Sequence, residues 1–254
     1  MYKSRYIFFF LMFVSATTSG VFGQSPSEKT WSFLLEPYVL FPFMNGDVGV
    51  GTLPNVTVDA DVSDIFSNLK IGAMLYAEAH TEDWVISSDI IYMNLKQDVK
   101  REGIINAGSL QAKQFAWELS GLRTVLPWLD LGLGARLNSL STEVGLTINK
   151  PNEATNRNKK VSETWVDPIL IARIKNASDE KIQYQFRGDI GGFGIGSDFA
   201  FQLQAYIGYR FSELFQLSAG YRIISMDYEK GSEENRFMYD VDTSGPVVRF
   251  GFNL

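Results

Sequence analysis

Ten segments of the chain carry apolar residues at every second position, the two-residue period of a strand with one apolar face. The clearest runs Phe199, Phe201, Leu203, Ala205, Ile207, Tyr209, Phe211, with Ala200, Gln202, Gln204, Tyr206, Gly208 and Arg210 on its other side. Leu129, Leu131, Leu133, Ala135 and Leu137 alternate in the same way with Asp130, Gly132, Gly134, Arg136 and Asn138, and Phe215, Leu217, Ala219, Tyr221 and Ile223 with Gln216, Ser218, Gly220 and Arg222. The predicted strands cover 31–41, 69–80, 83–97, 110–124, 128–146, 163–176, 181–191, 198–211, 215–228 and 236–253. Most exceed the roughly 5–6 residues usual for a globular strand. They reach the roughly 9–11 that cross a bilayer at a tilt.

The connections sort by length. Links at 81–82, 125–127, 177–180 and 212–214 are tight, whereas 42–68, 98–109, 147–162, 192–197 and 229–235 are longer and rich in Gly, Asn, Lys and Glu. Short turns at one end, longer loops at the other and an even strand number are the pattern of an outer-membrane barrel. The count falls to eight if two segments are loop excursions.

The polar phase of these strands holds seven acids, Glu36, Glu78, Asp89, Glu118, Asp130, Asp167 and Asp189, and six arginines, Arg136, Arg173, Arg187, Arg210, Arg222 and Arg249. An Arg facing lipid near the midplane costs about 2–4 kcal/mol, less near the interfaces, so six would forfeit on the order of 10 kcal/mol. In a membrane this face must therefore line the lumen, as a network of mutually paired charges. Gly72, Gly132, Gly134, Gly191, Gly208, Gly220 and Gly251 share the phase and leave room for long side chains in a narrow cylinder. The rival is a soluble periplasmic barrel that packs Trp31, Phe33, Phe115, Trp117, Phe201, Phe250 and Phe252 inside and binds an apolar ligand.

Residues 1–23 read as a signal peptide. Lys3 and Arg5 precede a nine-residue uncharged run, Tyr6 to Val14, and small residues up to Gly23 place cleavage before Gln24. The run is well short of the roughly 20 residues of a spanning helix, and no Cys follows it to carry a lipid anchor. Residues 24–254 form the barrel domain.

The leader, the ten alternating strands and the closing stretch Pro246, Val248, Phe250, Phe252, Leu254 resemble a small Gram-negative outer-membrane β-barrel of the outer-membrane-protein A-like superfamily. The likeness extends to Trp165-Val166-Asp167-Pro168, to Gly191-Gly192-Phe193-Gly194-Ile195-Gly196-Ser197, to Gly208-Tyr209-Arg210, Gly220-Tyr221-Arg222 and Ser244-Gly245-Pro246. It implies a closing strand read by the barrel-assembly machinery, although Leu254 stands where Phe is usual. It implies no activity.

Among 254 residues there is no Cys and one His, which removes thiolate sites and multi-His metal clusters; no cofactor is expected. The net charge of −6 argues against a nucleic-acid partner. His80, on the polar phase, lacks a recognisable Ser and acid for hydrolysis. Ser67-Asn68-Leu69-Lys70 has the Ser-x-x-Lys spacing without its companion motifs, and the glycines of 192–196 join strands and open no helix, so they read as a turn. Asp59, Asp61, Ser63 and Asp64 lack the glycine and distal glutamate of a calcium loop. Ser63 is expected to cap a short amphipathic turn through Ile65, Phe66 and Leu69, placed at or inside the barrel mouth. The basic run Arg157, Asn158, Lys159, Lys160 is expected in an external loop that meets lipopolysaccharide phosphates or solvent. The sequons at Asn55 and Asn176 carry no weight in a bacterium.

The sequence thus predicts an all-β, closed antiparallel up-and-down transmembrane barrel of about ten strands in the cell outer membrane, in contact with outer-membrane lipid and lipopolysaccharide. A filled lumen implies a structural or surface-interaction role. The alternatives are a narrow channel or binding site for a small solute, a lipid-acting hydrolase, and the soluble barrel.

Overall fold

The computed structural model describes residues 31–52, 55–99, 105–150, 153–176 and 180–254, so the leader predicted over 1–23 lies outside the described residues. The elements are β1 (Ser32–Leu40), β2 (Phe43–Val50), β3 (Val56–Ala60), α1 (Val62–Asn68), β4 (Leu69–His80), β5 (Trp84–Val99), β6 (Ile105–Leu126), β7 (Leu129–Lys150), β8 (Glu153–Lys175), β9 (Ile182–Gly191), β10 (Phe199–Arg210), β11 (Phe215–Lys230) and β12 (Phe237–Asn253). Strands β4 to β12 pair antiparallel with their sequence neighbours, and β1 pairs with both β4 and β12, which closes the cylinder.

β1 and β2 are one stave. Leu34 lies opposite Asn253, Leu40 opposite Val247, Phe43 opposite Ser244 and Val50 opposite Phe237, a register that continues unbroken across Phe41 and Pro42. Pro42 has no N–H for the ladder, while Phe41 N donates to Pro246 O at 2.9 Å. The barrel therefore has ten staves, with β3 as a short flap paired to β2 alone. This hairpin occupies the first long link, where no strand was expected.

The alternation sorts the two faces as the pleat requires. Outward residues include Leu133, 68% exposed, and Ile207, 62% exposed, whereas Asp130 and Asp167 on the inner phase are fully buried. Outer aromatics ring both ends of the apolar belt: Trp31, Phe33, Trp84, Trp128 and Tyr209 at the turn end, Phe43, Trp117, Phe199 and Tyr221 toward the loops. Arg123 stands on the outer wall at the turn-side rim, its guanidinium 5.8 Å from the centre of the Trp84 ring. Within the belt Ser88 accepts from Trp117 Nε1 at 3.0 Å, so this outer hydroxyl is satisfied by its neighbour.

Strands β6, β7 and β8 reach 22, 22 and 23 residues, and β7 pairs with β8 as far as Lys150 opposite Glu153. The long links predicted there are largely strand. Above Leu137 the outer face turns to hydroxyls, with Ser139 on Thr164 at 2.9 Å and Ser162 on Ser141 at 2.8 Å. There the hydroxyls face outward while Leu140 and Val161 pack inward against the lumenal cluster, so the apolar phase inverts and the signature of an apolar outer face is lost although the ladder continues. The run Arg157–Lys160 accordingly lies in β8, not in a loop.

Toward the loops the wall has two breaks. The β1–β4 ladder ends at Pro37 opposite Leu75, and above it α1 fills the interval, with Ile65 buried and Phe66 stacked on Phe41 at 5.6 Å. The residue that caps α1 is Asp61, not Ser63: Asp61 accepts from Asp64 N at 2.8 Å, and Asp64 returns the bond from Asp61 N at 3.3 Å. A carboxylate two residues earlier, just outside the helix, reaches the free amide that Ser63, already helical, cannot. The second break lies beyond Ile169, where β8 outruns its neighbour β9.

Candidate functional site

The lumen is layered. Its turn-side and middle portions hold an ionic network; its loop-side portion is an apolar and aromatic plug of Ile91, Met93, Trp165, Ile224, Met226, Tyr228, Phe237, Tyr239 and Val241. Trp165 on β8 stacks on Tyr228 of β11 at 4.0 Å across the second break.

Twelve of the thirteen polar-phase residues are buried inside the lumen; Arg210 is half-buried near the turns. β7 and β6 place Arg136 and Glu118 opposite each other, and β8 and β9 do the same for Arg173 and Arg187. Two like charges in register would repel, but acids separate them. Arg173 reaches Asp130 through Nε at 2.8 Å and also holds Glu78, while Arg187 pairs with Glu118. Arg136 bridges Glu118 and Asp189, each at 2.7 Å. Arg222 pairs with Asp89 at 2.9 Å and Arg249 with Glu36 at 3.1 Å. Paired carboxylates and guanidiniums are the condition under which buried charge is tolerable.

Residues outside the predicted set complete this network. Lys175 adds a second cation to Asp130 at 3.1 Å, and His80 Nδ1 lies 3.5 Å from Glu78. Gln202 donates to Asp189 at 2.9 Å and accepts from Arg222, Gln216 donates to Glu36 at 3.1 Å, and Gln204 accepts from Arg249 at 3.1 Å. Arg249 lies over the Tyr206 ring at 4.0 Å and the Tyr76 ring at 4.9 Å, a cation–π site shielded from water. Glutamine and tyrosine in the same strand phase as arginine, as in Gln202-x-Gln204-x-Tyr206, were the available signal.

Asp167 departs from the expected pairing. No cation meets it among the described residues; Ser197 N donates to it at 2.6 Å, Asn138 Nδ2 at 2.9 Å, Ser197 Oγ at 3.0 Å and Trp165 Nε1 at 3.1 Å. The two motifs Trp165-Val166-Asp167-Pro168 and Gly191–Ser197 thus form one structure. The carboxylate pins the β9–β10 turn, in which Gly192 and Gly194 have φ of 85° and 71° and Phe193 a φ of 53°.

The remaining candidates stand apart. Ser67 Oγ donates to Asp64 O at 3.1 Å within α1, and Lys70 is exposed on β4. Asn176 closes a turn, donating to Ile182 O at 2.7 Å and accepting from Tyr184 N at 2.9 Å. No cluster of three or more metal-ligating side chains occurs among the described residues.

Below the Arg249–Tyr206 layer a chamber of about 680 Å³ faces the turn end, lined by Glu78, His80, Lys175, Arg210, Ser218 and Asn253 among others. A separate void of about 20 Å³ lies between the network and the plug.

The sequence matches no family model and no curated protein. Solved structures similar to the chain include the Pseudomonas putida toluene transporter TodX, at 9% identity, 90% coverage of each chain and a TM-score of 0.34. The Ralstonia pickettii toluene transporter TbuX has 8% identity, 89% coverage of each chain and a TM-score of 0.37. Ail, the attachment invasion locus protein of Yersinia pestis, has 9% identity, coverage of 88% of this chain and 98% of its own, and a TM-score of 0.35.

Proposed function

We propose that the protein is an integral outer-membrane barrel of a Gram-negative bacterium whose filled lumen suits it to a structural or surface-interaction role, without enzymatic activity. One observation carries this reading: a belt of apolar side chains covers the outside of a closed cylinder at the level where its paired charges point to the axis. In water such a belt would be a continuous apolar surface far beyond the roughly 300–600 Å² of the largest patch on a typical soluble protein. In a bilayer it is the favourable surface, and the aromatic residues at its two ends match the two interfaces.

β10 supports the dimension. Its 12 residues, Phe199 to Arg210, tilted by about 40°, give a height on the order of 25–30 Å. Tight turns lie at the end where Phe33 and Leu254 exchange backbone hydrogen bonds, and short turns are the periplasmic feature of such barrels, which supports that end as the periplasmic one. The tall β6–β8 sheet then projects outside the cell, where Lys160 and its neighbours meet lipopolysaccharide, and the barrel-assembly machinery inserts the chain through its closing strand.

Filling of the loop-side lumen by the Trp165–Tyr228 plug favours this role over a channel. The test has two parts. Envelope protein is run unboiled and boiled on a detergent gel, and purified protein is placed in a planar bilayer. Heat-dependent migration of a membrane-fraction band without ion conductance is the expected result. A band in the aqueous fraction that ignores heating overturns the membrane reading, and steady conductance overturns the filled lumen.

A further inference from the structure

The turn-side chamber has the volume of a ligand site, within the roughly 300–1,000 Å³ typical of small-molecule pockets. Its polar wall is lopsided. Glu36 is held by Arg249 and Gln216, and Glu78 by Arg173 and Tyr76, so both buried acids of the lining already have donors. Glu82 is exposed at the rim. On the donor side, Arg249 faces Glu36, and Lys175, reaching in from the rim, pairs with Asp130 behind the wall.

Arg210 breaks the pattern. It is the one lumenal arginine among the described residues with no carboxylate at ion-pair distance, and its Nε is buried without an acceptor. Asn253 Nδ2 and Arg249 Nε, on the same lining, are also buried without acceptors. His80 Nδ1, likewise unbonded, already faces the Glu78 carboxylate at 3.5 Å. A half-buried guanidinium whose Nε is shielded from water, in one lining with further unused N–H groups and with the buried acids of that lining already occupied, makes a site short of acceptors. A ligand that brings them, and a negative charge, completes it.

We propose that this chamber binds a small water-soluble organic anion, a carboxylate or phosphate ester entering from the turn end, with Arg210 as its charge anchor. The backbone N–H of Arg210 donates to Lys181 O at 2.8 Å, which fixes the strand end from which the side chain projects. Arg249, packed against the Tyr206 and Tyr76 rings, lines the chamber on the network side, so the ligand is held and not passed through. This inference goes beyond the proposed role and survives if the barrel lies elsewhere than the outer membrane.

Calorimetric titration of the folded full-length protein in alkyl maltoside micelles, with citrate, glucose 6-phosphate and neutral glucose as probes, tests it. Saturable binding of citrate or glucose 6-phosphate but not glucose is expected. Arg210→Gln should weaken it by about tenfold or more, Arg210→Lys less, and Arg123→Gln on the outer rim not at all. Because the chain has no cysteine, a second measurement uses Gln185→Cys on the chamber wall, whose alkylation by iodoacetamide citrate should slow. No saturable binding of either anion, equal binding of glucose, unchanged affinity in a folded Arg210→Gln variant, or alkylation indifferent to citrate each overturns the proposal.

Discussion

Ser197 donates its backbone N–H to the carboxylate of Asp167, thirty positions earlier in the chain, at 2.6 Å. The bond joins the β9–β10 turn to the inner face of β8 at the level where β8 loses its neighbour. Loss of the acceptor leaves several buried donors without a partner at once, and a buried group left unsatisfied costs about 1–3 kcal/mol. Asp167→Ala should therefore lower unfolding stability in urea by about 3 kcal/mol and speed amide exchange in residues 192–197. Exchange there at the native rate contradicts the pinning.

Two glycines of that turn should respond differently. A Cβ on Gly196 falls 2.4 Å from both Asp167 Oδ1 and Val166 O, whereas one on Gly194 meets nothing within 4 Å but inherits a φ of 71°. Gly194→Ala then bears only the left-handed backbone cost of roughly 1–2 kcal/mol. Gly196→Ala should be the more damaging of the two by urea titration, since backbone must move; equal effects would show that the turn is looser than drawn.

The ionic network predicts a contrast between buried and exposed pairs. Glu118 serves both Arg136 and Arg187, so Glu118→Leu leaves two buried arginines short of charge and should cost about 3–5 kcal/mol. The Lys230–Glu163 pair at 3.2 Å is exposed on the lysine side, and Lys230→Ala should leave the urea midpoint close to that of the wild type. Refolding yields into lipid vesicles and urea midpoints report both; comparable losses at the two sites would contradict the layering.

Beyond the apolar belt, Asp240 of β12 lies opposite both Asp47 of β2 and Asp227 of β11. Burial first, then Asp240, Asp198 and Glu229, push the Asp227 carboxyl above the usual carboxylate range. A group raised in the folded state contributes its stability below its unfolded value and loses it as pH rises through the folded value. The wild type should thus gain relative to Asp227→Asn on acidification. At neutral pH Asp240→Asn should stabilise by about 0.2–1 kcal/mol, the worth of removing a like-charge pair. A difference between wild type and Asp227→Asn that ignores pH contradicts this.

What the sequence revealed follows from where one face is apolar and the other is not. In β10 the phase of Leu203 and Ile207 against Gln202 and Tyr206 is clean, and its inner and outer residues could be separated without coordinates. Where both faces are apolar, as at Ile90-Ile91-Tyr92-Met93 and Ile223-Ile224, alternation no longer reports a side, and the loop-side plug stayed hidden. Such doubly apolar stretches were its only trace. The β2–β3 hairpin was invisible for the opposite reason: Asn45, Asp47 and Gly49 give it a polar outer face, and its main pairing is with β12, nearly two hundred residues away. The thirteen inner charges could be named from strand phase, but their partners could not. Asp167 looked like one more acid for an arginine, and nothing local marks it as the acceptor for a distant turn.

The whole reading depends on which medium touches the outer wall. Single cysteines at Leu133, Ile207 and Lys160, the last on the polar extension of β8, can be spin-labelled in protein folded into lipid vesicles without interference from native thiols. The first two labels should collide freely with oxygen and be shielded from a water-soluble nickel chelate, and the label at 160 should show the reverse. Nickel access at 133 and 207 equal to that at 160 would place the belt in water and contradict the account.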